Sequence, residues 1–261
     1  MKAELITSLQ NPKVKNLVKL SEKSSERRSQ NLIIVEGQRE IQIAVDAGFN
    51  IEQLYFCESL GANQSQFISK SYFEISKEVF SKIAYRENSD GYIAVLQPNY
   101  FSLENLNLPQ NPFIIILESV EKPGNLGAIL RTADAANIDA LIVCDPKTDI
   151  YNPNAIRSSI GCVFSVPIVT STSQEVFEWL RNKRINSYAA ALTATKEYTE
   201  INFKESSAII MGTEATGLTP FWLENADEQI KIPMLGKIDS LNVSTSTAIL
   251  TFEALRQRRN H

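Results

Sequence analysis

Five short apolar runs punctuate the second half of the chain: Phe113–Leu117, Ala140–Cys144, Phe164–Val169, Tyr188–Leu192 and Ala208–Met211. None alternates regularly with polar residues, so none suits a strand with one wet face. Apolar runs of this length suit strands buried on both faces. Between them lie stretches with helical spacing, Leu126–Asn137, Gln174–Arg184 and Pro220–Asn225. Strand, helix and strand in succession predict an α/β fold with a mostly parallel sheet, helices on both faces, and ligands at the carboxyl ends of the strands. The helix after the first run is legible in detail. Leu126, Ile129, Leu130 and Ala133 form one apolar stripe, and Arg131 projects from the polar side. Pro123 and Gly124 open this helix, and Asn137 suits a left-handed cap at its end.

The first half reads as a smaller α/β unit. Val14, Leu17, Val18 and Leu20 mark a basic amphipathic helix, and Gln38–Ala47 a second one closed by Gly48. Leu32–Val35, Leu54–Cys57 and Tyr92–Leu96 are candidate strands. Prolines at 98, 109 and 112, with four asparagines between Asn99 and Asn111, mark a linker. The expected division is a small domain over residues 1–97, a linker over 98–111 and a larger domain over 112–261.

Composition removes several kinds of chemistry. The single histidine is the last residue, His261, which excludes a Ser-His-Asp triad, a Cys-His pair and an H-E-x-x-H zinc site. No G-x-x-x-x-G-K-[ST] loop is present. Cys57, Cys144 and Cys162 include no C-x-x-C pair, so no metal is expected and a reducing cytoplasm fits. The chain has no apolar run long enough to span a membrane, and residues 1–36 lack the apolar stretch of a secretion signal. A cytoplasmic protein without a membrane partner is therefore expected.

Net charge is −4, yet residues 1–30 hold seven Lys/Arg against three Glu, and Arg256, Arg258 and Arg259 gather near the other end. Local basic patches attract phosphates within a Debye length of about 8 Å. Charge alone leaves an RNA-binding patch and a plain solvated helix face equally open.

Three segments at strand ends carry small or polar residues with no evident packing purpose. The first is Pro-Gly-Asn-Leu-Gly-Ala-Ile-Leu-Arg-Thr-Ala-Asp over residues 123–134. The second is Gly-Thr-Glu-Ala-Thr-Gly-Leu over 212–218. The third joins Ile-Pro-Met-Leu-Gly at 232–236 to Ser-Leu-Asn-Val-Ser at 240–244. In this order they resemble the three motifs of the SpoU (TrmH-like) RNA 2′-O-ribose methyltransferases of the SPOUT superfamily, over about residues 112–257. One departure is Thr245, Ser246 and Thr247, where the family often has Val-Ala-Ala; the change lowers helix propensity. The segment Ile6–Lys15, with Val35–Arg39, is similar to the RNA substrate-binding domain joined to many of these enzymes, which has the α/β fold of certain ribosomal RNA-binding proteins.

The resemblance implies a trefoil-knotted methyltransferase domain, a homodimer and S-adenosylmethionine as cofactor. Leu192, Gly212, Gly217, Ile232, Met234 and Leu241 match positions that hold the cofactor, largely through backbone groups. Among the catalytic positions, Arg131 would act on the ribose hydroxyl, reaching across the dimer. Asn125 would position substrate or Arg131, and Glu214 would orient its loop or Arg131. Ser240 and Asn242 would shape the pocket and reach the ribose. The substrate implied is RNA, ribosomal RNA of the large subunit ahead of tRNA. A non-catalytic RNA-binding ribosome-assembly factor is the alternative, and it predicts damage to Asn125, Arg131, Glu214 or Asn242. All four are present. A doubly wound oxidoreductase would need G-x-G-x-x-G after the first strand, and neither glycine-rich segment has that spacing.

Overall fold

The computed structural model describes residues 3–85, 89–213 and 215–259. In chain order the first elements are β1 (Glu4–Ile6), α1 (Pro12–Glu22), α2 (Ser24–Gln30), β2 (Ile33–Glu36), α3 (Gln38–Asp46), β3 (Ile51–Phe56), β4 (Ser71–Ile75), α4 (Lys77–Ile83) and β5 (Tyr92–Leu96). Next come β6 (Phe113–Glu118), α5 (Pro123–Ala136), β7 (Ala140–Cys144), α6 (Pro153–Ser158), α7 (Cys162–Ser165), β8 (Ile168–Ser171) and α8 (Ser173–Lys183). The last are β9 (Asn186–Ala190), β10 (Lys196–Glu197), β11 (Ser207–Met211), α9 (Pro220–Asn225), β12 (Glu228–Lys231) and α10 (Val243–Arg259).

The chain forms two compact units. One comprises Met1–Asn99 with Tyr151–Ser165, and the other Tyr100–Ile150 with Val166–His261. In the first, a five-stranded sheet runs in the order β1-β4-β3-β5-β2, with β5 antiparallel to both its neighbours. The helix α1 begins where Asn11 accepts the Lys13 backbone N–H at 2.9 Å and Pro12 supplies the first helical φ. It buries Val14, Leu17 and Leu20 at three-residue spacing, together with Tyr55, Ile75, Phe80 and Val95. Each fully buried aliphatic side chain stabilises the unit by about 1.5–3 kcal/mol.

The second unit contains a seven-stranded sheet in the order β10-β12-β9-β11-β6-β7-β8, and every neighbouring pair is parallel. This is the sheet expected from the apolar runs. All residues of β6, β7 and β11 are buried, as strands covered on both faces require. Pro123 occupies the first turn of α5, and Asn137 closes it at φ 51°, as the sequence predicts. The stretch 98–111 holds no helix and no extended strand, yet Leu103 is buried and its carbonyl accepts the Trp179 Nε1–H at 3.0 Å.

One expectation needs correction. The apolar run Phe164–Val169 is not one strand: Cys162–Ser165 is helical, and β8 starts at Ile168, after Pro167, which has no N–H for the ladder. The basic patches are thinner than their residue counts. Arg27 is 3% exposed and donates to the Leu20 and Ser21 carbonyls. Lys13 pairs with Glu4 at 3.1 Å, and Arg256 grips Glu253 with two bonds of 2.8 Å. Arg258 is spent on the carbonyls of Phe203, Asn111, Pro112 and Glu205. Lys15, Lys19, Lys23, Arg28 and Arg259 remain exposed.

Candidate functional site

Four adjacent strands of the seven-stranded sheet, β12-β9-β11-β6, lead into residues that the sequence singles out. Ile232 and Met234 follow β12, Leu192 follows β9, Gly212 and Gly217 follow β11, and Asn125 lies in the turn of α5 after β6. Because the strands are parallel and neighbours, these segments emerge at one end of the sheet, where such folds bind ligands.

The loop after β11 is tightly folded. Thr213 and Gly217 exchange two backbone hydrogen bonds, 3.1 and 3.0 Å long, and the Thr213 and Thr216 hydroxyls meet at 2.9 Å. Gly212 lies against this fold: a Cβ there would sit 2.2 Å from the Gly217 carbonyl carbon and 2.3 Å from the Leu218 nitrogen. No side chain fits. Gly217 differs, since its φ of +69° favours glycine while space around it is open. Glu214 lies outside the described residues.

The first and third segments meet directly. The Asn242 Nδ2–H donates to Asn125 Oδ1 at 3.3 Å, and Asn242 Oδ1 accepts from the Ser244 N–H at 2.9 Å and its hydroxyl at 2.6 Å. Asn242 thus caps α10 while linking it to α5, and the two helices pack together. Ser240 is exposed and Leu241 half-buried beside this link. Leu192 is 64% exposed, Leu235 97% and Ile238 63%, while Ile232 and Met234 are half-buried. Apolar side chains gathered at strand ends suit the face of a purine ring, with backbone amides and carbonyls as the polar contacts.

Arg131 stands apart. It is exposed on α5, six residues beyond Asn125. That separation is about 9 Å along the axis and about 240° around it, so the two side chains leave different faces. Among the described residues, no hydrogen bond or ion pair within the chain engages its guanidinium.

The sequence reading misses Glu118, the last residue of β6. It is 3% exposed, and its two carboxylate oxygens accept the Thr219 N–H at 2.8 Å and the Thr219 hydroxyl at 2.6 Å. The carboxylate therefore fixes the point where the Gly212–Leu218 loop enters α9. The signal was available, because Glu118 is the one charged residue ending an otherwise apolar run. A second tie lies beside it: Asp145 accepts the Ser173 N–H and hydroxyl, and that hydroxyl accepts the Trp222 Nε1–H. Among the described residues, no group of His, Cys, Asp and Glu could hold a metal ion, and no helix is long and apolar enough to cross a membrane.

Comparison with known proteins gives a consistent result. Residues 112–252 match the model of the SpoU rRNA Methylase family, and residues 11–94 match an MRM3-like substrate binding domain. The 23S rRNA (guanosine(2553)-2′-O)-methyltransferase RlmP of Bacillus subtilis (strain 168) is 29% identical, covering 95% of this chain and 97% of its own. The 23S rRNA (guanosine-2′-O-)-methyltransferase RlmB of Vibrio vulnificus is 34% identical over 75% of this chain and 82% of its own. Among solved structures, an RNA 2′-O ribose methyltransferase aligns with a TM-score of 0.85 at 38% identity, covering 98% of this chain and 99% of that one. An AdoMet-bound rRNA methyltransferase from Sinorhizobium meliloti aligns with a TM-score of 0.90 at 28% identity, over 97% and 98% of the two chains.

Proposed function

The chain belongs to the SpoU rRNA methylase family, and from that membership we propose that it methylates a ribose 2′-hydroxyl of RNA using S-adenosylmethionine. Large-subunit ribosomal RNA is the favoured substrate over tRNA, because the relatives named above act on 23S rRNA. The observation that carries this reading is the convergence of all three motif segments, after β6, β11 and β12, with Leu192 after β9, at the carboxyl ends of four adjacent parallel strands. We assign residues 1–97 to RNA binding and the part after residue 111 to methyl transfer, in a cytoplasmic enzyme.

When bound, S-adenosylmethionine supplies an electrophilic methyl group on sulfur. The chain has to hold it, align the hydroxyl in line and stabilise charge developing on oxygen. Leu192, Ile232, Met234 and Leu241 exclude water around the adenosine, while Gly212 and Gly217 keep the loop backbone close. Asn125 and Asn242, joined to each other, position the ribose beside Ser240. A guanidinium presents N–H donors and no acceptor, so Arg131 serves as a clamp and not as a general base. It clamps the neighbouring phosphate and stabilises the forming alkoxide. Its exposed place, away from Asn125, favours service to the site of a second copy. The homodimer and the knotted path implied by the family belong to this same reading.

The test uses purified protein and two RNAs. Wild type should transfer labelled methyl groups to 23S rRNA in preference to tRNA, and S-adenosylmethionine should raise its melting temperature while NAD and ATP do not. Arg131→Ala should keep the thermal shift and lose most of the transfer. Arg131→Lys keeps the charge but not the planar fork, so a weak residue of activity is expected. Absence of any shift at cofactor concentrations far above micromolar would count against the enzyme reading. Cofactor binding without transfer would leave the assembly-factor alternative in its place.

A further inference from the structure

The unit formed by residues 1–99 and 151–165 carries an aromatic–cation pair for which its own fold has no evident use. The Arg157 guanidinium carbon lies 4.8 Å from the centroid of the Tyr85 ring. Tyr85 is 56% exposed, and Arg157 is exposed as well. Among the described residues, no carboxylate pairs with Arg157. Both residues are held by their backbones. The Tyr85 N–H donates to Glu36 Oε2 at 2.7 Å, at the end of β2. Arg157 sits in α6, whose Asn152 cap accepts the Asn154 N–H at 2.9 Å and whose Ala155 and Ile156 are buried. The rings and charges at the surface are thus free to serve something outside the chain.

Next to the pair is a recess of about 30 Å³ lined by Ile34, Ile83, Ile93 and Ile156. That volume admits little more than a water molecule, so a base cannot enter it and must lie across the outside. Ser21 and Glu36 also line the recess. An exposed aromatic ring and an unpaired guanidinium suit a nucleotide whose base is unpaired: the base stacks, and the cation takes the phosphate. A paired helix offers no free base face for that contact. We infer that Tyr85 and Arg157 form a docking point for one unpaired nucleotide of the RNA substrate. The inference rests on the RNA-methyltransferase reading and names where, in the substrate-binding part, a base is recognised. It also assigns an RNA contact to Arg157, which lies inside the stretch matched by the methylase model but clusters with residues 1–99.

The experiment compares a stem–loop oligoribonucleotide with a blunt duplex of the same length, binding to the full chain. Tyr85→Ala and Arg157→Ala should each weaken stem–loop binding roughly 5- to 150-fold, the range for losing one base–aromatic stack. Duplex binding should change less than about twofold, and the thermal shift with S-adenosylmethionine should stay as in wild type. Tyr85→Trp should retain affinity, and its indole should be quenched by the stem–loop but not by the duplex. Both native tryptophans, Trp179 and Trp222, are buried, so the signal reports position 85. Equal effects on the two RNAs, or none, overturn the inference, as does a loss of thermal stability without a change in discrimination. Methyl transfer to 23S rRNA by wild type is measured in parallel. If wild type methylates and the variants discriminate as before, only the docking point fails; if wild type neither binds nor methylates RNA, the broader reading fails with it.

Discussion

A hydrogen atom in place of a methyl group is what allows the backbone after β11 to close on itself at Gly212. The ideal Cβ position there is filled by the backbone of Gly217 and Leu218, atoms that no rotamer change can move. Gly212→Ala is therefore expected to cost about 3 kcal/mol, as overpacking against rigid atoms does, and to abolish cofactor binding with it. Gly217→Ala meets open space and pays only for its left-handed φ, about 1 kcal/mol. Urea denaturation of the two variants separates the causes. Equal losses would mean that backbone conformation, not close approach, selects glycine in this loop. The sequence marks both positions as glycines near a ligand but cannot distinguish them, because a one-letter pattern carries no φ and no neighbour. Asn242 is similar. Its place in the third segment is readable, whereas its cap on α10 and its bond to Asn125, 117 residues away, exist only once the chain is folded.

At the level of elements, the alternation of apolar runs was enough to place β6, β7 and β11, since a strand covered on both faces writes its burial into every residue, whereas β9, buried only at Ser187–Ala189, begins two residues before the run Tyr188–Leu192. The strands missed are the ones without that signal. β12 reads Glu-Gln-Ile-Lys with only Ile230 buried, and β10 is two half-buried charged residues at the sheet edge. Likewise α6 and α7 are too short for a periodicity to show. The link from β6 to α9 through Glu118 and Thr219 was illegible for another reason: 101 residues separate the partners. Glu118→Ala should lower stability by about 2–3 kcal/mol, because hydrogen bonds to a buried carboxylate are worth more than neutral ones. It should also weaken cofactor binding by releasing the loop that ends at Leu218. Glu118→Gln keeps an acceptor for the Thr219 N–H and should lie between Ala and wild type. Calorimetric titration with S-adenosylmethionine checks the coupling; destabilisation with unaltered affinity would show that α9 and the loop move independently.

For the molecule as a whole, the homodimer proposed above is open to direct test, and the exposed Arg131 on α5 and the 48% exposed Phe252 on α10 are residues it would cover. Sedimentation should give about twice the chain mass of 29.2 kDa. Mixing then tests what the second copy does. Arg131→Ala lacks the clamp, and Leu192→Asp, altered at an exposed apolar side chain, is expected to fold yet lose the cofactor. If subunits exchange at random, half the dimers are mixed and each has one complete site out of two, so activity should return toward about a quarter of wild type. Verified exchange with no recovery would place Arg131 in its own subunit's site. The interleaving of the two units bears on how the protein comes into being. Residues 151–165 complete the unit begun by residues 1–99, after 51 residues of the other unit have been made. A ribosome translating this chain therefore releases an N-terminal sheet that must wait for α6 and α7, and a gene cut at the proline-rich stretch around 98–111 leaves neither product with its full set of parts.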